Sequence, residues 1–186
     1  MKLLATALVL CVAAVPASSD LVITEIMQNP AAVADADGEW FEVFNSGPGS
    51  IDMNGYTVYD EGTNSFTISG PLEIPGGGFA VFCVNGDFAT NGGVNVDYVF
   101  SGSSFAIANG DDEIYIADTG MNVVDFVRYD GGPVWPDPTG ASMYFLGGGD
   151  NNDGTQWTEE TTYTYGAGDF GTPGYGFATA GEAAPW

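Results

Sequence analysis

From Leu21 onwards the chain consists of short apolar or alternating runs, rich in Val, Ile, Phe and Tyr and punctuated by Gly, Asn, Asp and Pro. This pattern constrains the fold more than any other feature, because β-branched and aromatic residues fit a pleated surface while the punctuating residues supply turns. The runs expected as strands are LVITEIM, EWFEVFN, YTVYD, SFTIS, FAVFCV, DYVFS, FAIA, EIYIAD, VVDFVRY and SMYFL, with breaks at NGG, NGDD, DTGMN and PGGG. No stretch offers a helical pattern. Many short strands at this spacing predict an all-β sandwich or barrel.

Period-two alternation assigns faces. Phe41, Val43 and Asn45 share one face of their strand, with Trp40, Glu42 and Phe44 on the other. Ile114 and Ile116 are core candidates, and in DFVRY the pair Val127 and Tyr129 opposes Phe126 and Arg128. Asn54-Gly55 and the glycines at 76–78 suit tight connections that need positive φ, and Pro30 and Pro75 end strands by removing a ladder donor. Asp60-Glu61 and Asp111-Asp112 read as solvated turns. Residues 147–186 alternate little and read as a closing loop and tail, with Trp157 plugging one end of the core.

The first 19 residues have the parts of a secretory signal peptide: Lys2 as the positive end, Leu3 to Val15 as the apolar run, and Ala17 or Ser19 as a small cleavage position. The apolar run is shorter than the about 20 residues needed to span a bilayer, so no membrane insertion is expected after cleavage. The organisation predicted is a leader at 1–19, one domain at 20–174 and a flexible tail at 175–186. Cys11 leaves with the leader and Cys83 remains alone, in a strand-like run where it reads as a small buried apolar residue.

Charge and composition exclude several functions. Twenty-five acidic residues face Lys2 and Arg128 alone, a net charge of −23. Nucleic acid is therefore not an expected partner, since phosphates must be met by cations. Arg128 is expected in a salt bridge to a nearby carboxylate. With no histidine in the chain, a Ser-His-Asp triad, a Cys-His pair and the usual zinc hydrolase site are all excluded. A carboxylate pair of the kind that hydrolyses glycosides stays open.

Two loops carry oxygen-rich patterns. In DADGE, Asp35, Asp37 and Glu39 alternate around a glycine, and in DNNDG, Asp150, Asn152 and Asp153 repeat the style. Each reads either as a structural turn or as a Ca²⁺ site, the only cofactor expected, because hard oxygens suit that ion. Aromatic residues supply a rival site. Trp135, between prolines in PVWPDP, is expected to be exposed, and with Tyr144, Trp157, Tyr163 and Tyr165 it could stack on sugar rings.

LVITEIMQNP, DADGEWFEVFNSGPGSIDMNGYTVYD, IPGGGFAVF, FAIANGDDEIYIADTGMNVVDFVRYD, DNNDGTQW and GTPG occur in that order, and together they resemble the lamin tail domain family in its secreted, stand-alone form. The resemblance spans about residues 21–174. It implies an immunoglobulin-like β-sandwich and no inherited catalytic site. The expected function is a secreted, non-enzymatic interaction or structural module whose partner is an extracellular protein, surface or glycan. A carbohydrate-binding accessory domain and a carboxylate-pair hydrolase are the alternatives.

Overall fold

A computed structural model describes residues 20–175. The leader at 1–19 and all but the first residue of the tail at 175–186 lie outside the described residues. Within them the strands are β1 (Leu21–Met27), β2 (Trp40–Asn45), β3 (Ile51–Asp52), β4 (Thr57–Tyr59), β5 (Ser65–Thr67) and β6 (Glu73–Ile74), followed by β7 (Phe79–Cys83), β8 (Tyr98–Val99), β9 (Asp111–Ala117), β10 (Val123–Asp130), β11 (Met143–Phe145) and β12 (Trp157–Glu159). Helix is confined among the described residues to one turn at Asp35–Gly38 and a 3-10 turn at Gly154–Gln156. No helix there is long and apolar enough to cross a membrane.

A six-stranded sheet, ordered β12-β11-β1-β2-β7-β8, packs on a four-stranded sheet, ordered β10-β9-β4-β5, while β3 and β6 pair separately. The pairings are antiparallel apart from β7 with β8. This is the immunoglobulin-like sandwich expected from the strand pattern and the resemblance. Ile23, Phe41, Val43, Phe82 and Met143 from one sheet meet Val58, Ile114, Ile116 and Val127 from the other, all fully buried. Phe41 stacks on Phe82 at 4.7 Å across the β2–β7 register. Each such side chain contributes about 1.5–3 kcal/mol on burial.

The six-stranded sheet carries apolar side chains on both faces because both are covered. Met27, Trp40, Val81 and Cys83 point away from the main core and pack with Val94 and Tyr165, from the two long connections laid over this sheet. Trp40 Nε1 donates to Tyr165 Oη at 3.0 Å. Where those connections meet, backbone touches backbone: a Cβ on Gly166 would lie 2.0 Å from the Gly92 carbonyl oxygen, and Gly166 has φ +41. Glycine is required there both by space and by conformation.

Some strand readings change. FAIA forms no ladder: Phe105 and Ile107 are buried, yet the Ile107 N–H is taken by Glu39 Oε2 at 3.1 Å and the Ala108 N–H by Asp112 Oδ2 at 2.7 Å. Carboxylates replace a neighbouring strand, which periodicity alone does not reveal. Asp111 and Asp112 open β9 rather than forming a turn. The closing region supplies the edge strand β12 and the buried Tyr165, so it is more than a loop. Of the glycines at 76–78, Gly77 carries the positive φ, whereas Gly76 is needed because a Cβ would sit 2.5 Å from the Pro48 carbonyl carbon.

Candidate functional site

The candidate site is shaped by two bulges. Ile23 and Ile26 both enter the main core although they are three residues apart, which strict alternation forbids, and a register shift between Ile23 and Glu25 absorbs the extra residue. A second shift, between Val123 and Asp125, lies on β10. The shifts bring Asp125 against β1, where its Oδ2 accepts from the Ile23 N–H at 2.6 Å and from Asn151 Nδ2 at 2.8 Å. Asn151 Nδ2 also reaches the Ile23 carbonyl at 3.2 Å.

Beside this junction is a cleft of about 380 Å³, within the size range of small-ligand sites. Leu21, Val22, Phe44, Val124 and Phe145 form apolar walls, Ser46 and the glycines 147 and 149 stand at its lining, and Asp125, Asp150 and Asn151 are its polar side. Among the described residues no lysine or arginine lines it. Burial raises the Asp125 carboxyl from 3.8 to about 6, and the nearby Asp150 adds to the rise against the opposing hydrogen bonds. The sequence contained one signal of this site, a lone acid inside the apolar run VVDFVRY. Its partners come from β1 and the 147–151 loop, which only the tertiary fold brings in.

The residues read as metal ligands each accept hydrogen bonds within the chain. Asp35 Oδ2 accepts from Asn109 Nδ2 at 3.0 Å, Asp37 Oδ1 from Asn85 Nδ2 at 3.3 Å, and Glu39 is buried against Ile107. Burial, with Asp35 and Asp112 contributing, lifts Glu39 from 4.5 to about 7. In the second loop Asp150 Oδ1 accepts from the Asn152 N–H at 2.9 Å, Asp153 Oδ1 from the Thr155 N–H at 3.0 Å, and Asn152 Oδ1 from the Arg128 N–H at 2.9 Å. These are turn and edge-capping roles. Among the described residues no group of three His, Cys, Asp or Glu side chains is placed to hold a metal ion.

Trp135 is a correction: it is 7% exposed, packed on Trp157 with ring centroids 5.5 Å apart. The PVWPDP segment folds inward because Gly154 leaves room for the indole, whose ring a Cβ there would approach to 2.7 Å. Trp157 closes the core as expected, its Nε1 donating to the Asn151 carbonyl at 2.7 Å. Tyr165 lies in the other apolar cluster, apart from the one that holds Trp135 and Trp157. Aromatic rings do line the outer face of the four-stranded sheet, where Tyr59, Tyr115 and Phe126 stack at 5.0 and 5.1 Å. Their faces cover one another, the arrangement of cross-strand stabilising pairs rather than of a sugar-binding surface. Arg128 forms its expected ion pair, with Glu61, at the edge of that row.

Fully buried glutamates hold the closing segment on the six-stranded sheet. Glu25 accepts from Ser142 Oγ, from the Thr172 N–H at 2.8 Å and from Thr172 Oγ1 at 2.7 Å. Its register partner Glu42 accepts from Thr24 Oγ1 and from the Gly174 N–H, both at 2.7 Å. Loss of hydration raises Glu25 from 4.5 to about 7, with Glu160 adding a smaller repulsion.

The sequence model of the Lamin Tail Domain family matches residues 14–131, more than half of the chain. No curated protein matches. The matched span contains β1, β2 and β10 of the cleft, while β11 and the loop at 147–151 lie beyond it.

Proposed function

Because the chain belongs to the lamin tail domain family, an immunoglobulin-like fold of interaction and structural modules, we propose that it is a secreted, non-enzymatic module that binds an extracellular protein or surface component through the cleft between β1, β10 and the 147–151 loop. The observation that carries this reading is the cleft itself: apolar walls beside a few convergent polar groups are what binding sites present. Secretion rests on the leader-like residues 1–19. A carboxylate-pair hydrolase acting in this cleft would use Asp125 and Asp150, which line it.

The test uses immobilised protein exposed to culture medium and to solubilised surface material, comparing the natural sequence with Ser46→Trp, which narrows the cleft from an exposed rim position. The reading expects a component that is captured by the former and lost by the latter. Capture indifferent to Ser46→Trp would show that recognition occurs elsewhere. Turnover of a glycan that disappears in Asp125→Asn would establish the hydrolase instead.

A further inference from the structure

We infer that the cleft receives a lysine side chain of the partner protein, the aliphatic stem lying on Leu21, Val22, Phe44 and Phe145 and the ammonium meeting Asp125. This rests on the reading of the cleft as the binding site and names its ligand.

The argument begins with an uncompensated charge. Asp125 is held by three neutral donors, the Ile23 N–H at 2.6 Å, Asn151 Nδ2 at 2.8 Å and the Phe126 N–H, and among the described residues the other ionisable group lining the cleft is Asp150, of the same sign. Among the described residues Arg128 is the sole cation, and it is engaged by Glu61. A carboxylate already stripped of much of its water gains more from an incoming cation than an exposed one does, because part of the desolvation cost has been met on folding.

The walls then select among cations. A metal ion would want several hard oxygens and no apolar surroundings, whereas five apolar side chains line this cleft. A side chain with a greasy stem and a charged head suits such a lining. Between the two basic side chains the geometry favours lysine. Arginine binds carboxylates through a planar fork that engages both oxygens, and Oδ2 is already committed to two donors. An ammonium, as a point charge, needs a single free approach. The strongly acidic chain, at −23, attracts a basic partner before contact is made.

The experiment titrates ¹⁵N-labelled protein with three capped tripeptides, acetyl-Gly-X-Gly-amide with X lysine, norleucine or arginine, following backbone amide shifts. The lysine peptide is expected to give saturable shifts at Leu21, Val124 and Asn151. Norleucine and arginine peptides should bind at least tenfold more weakly, and Asp125→Asn and Ser46→Trp should each abolish the lysine response. If norleucine binds as well as lysine, the cationic ligand is wrong while the cleft survives as an apolar site. If arginine matches lysine, the choice of head group is wrong. If no peptide gives saturable shifts, or if lysine shifts scatter over exposed carboxylates and persist in Ser46→Trp, the cleft reading falls as well. Should Asp125→Asn fail to fold, the norleucine comparison and Ser46→Trp decide alone.

Discussion

Replacing Glu25 by glutamine should stabilise the protein at pH 8 and leave it unchanged near pH 4. Glu25 is 1% exposed, and loss of hydration keeps its proton to about pH 7 against 4.5 for the ordinary side chain. Between those values the folded state binds more protons than the unfolded state, so stability falls as pH rises from about 4.5 to 7 and is level on either side. A rise of that size corresponds to about 3 kcal/mol of stability lost at pH 8. Glutamine has the shape of the protonated acid. It can still accept at Oε1 from Ser142 and Thr172, and its amide can donate to Thr172 Oγ1, which reverses that hydroxyl's role. The Glu25→Gln variant should therefore recover most of the penalty, raising Tm at pH 8 by about 6–12 °C for a domain of this size. Urea and thermal unfolding from pH 4 to 8 would be run in about 0.5 M NaCl, so that repulsion among the many surface carboxylates is screened and does not imitate the effect. The reasoning fails if Glu25→Gln is no more stable than the natural protein at pH 8, or if the gap between them does not change with pH. Asp125, raised to about 6, and Glu39, raised to about 7, work in the same direction, so the substitution reduces the slope without removing it.

Trp135→Ala should cost about 3–5 kcal/mol in urea unfolding, the cost of emptying a core position; an unchanged midpoint would mean that the indole is not packed on Trp157. Gly166→Ala should lose about 2 kcal/mol or more, since its Cβ meets the Gly92 carbonyl oxygen and its φ is positive, and a neutral result would show that the two connections can part freely. Adding millimolar calcium or EDTA at matched ionic strength should move Tm by less than about 1 °C, because an ion bound to the native state alone must raise it. A larger, saturable rise would establish one of the acidic loops as a calcium site.

Much of the fold was legible in the sequence because sheet formation leaves a short-range record. Alternation and turn residues located most of the longer strands, and Ile114, Ile116, Cys83 and Trp157 are buried where their neighbours in the chain implied. The two-residue strands β3 and β6, and β12, are too short to carry a period. FAIA has the composition of a strand without a strand to pair with, and its partners, Glu39 and Asp112, are chosen by the fold.

What the chain determined by itself was its class: the density of β-forming runs, the absence of histidine and the excess of negative charge limit it to an all-β sandwich or barrel without the common nucleophilic machinery. The fate of each acidic and aromatic side chain was decided only by tertiary structure. Trp135 turned inward because a glycine 19 residues later made space for it, and Glu25 found its donors on Ser142 and Thr172, distant in sequence. Asp125 faces the cleft because bulges on two strands align. Local pattern reports what a residue prefers as its backbone conformation, whereas burial, hydrogen-bond partners and proton affinity depend on what other segments place beside it, and that information exists only once the layers have closed.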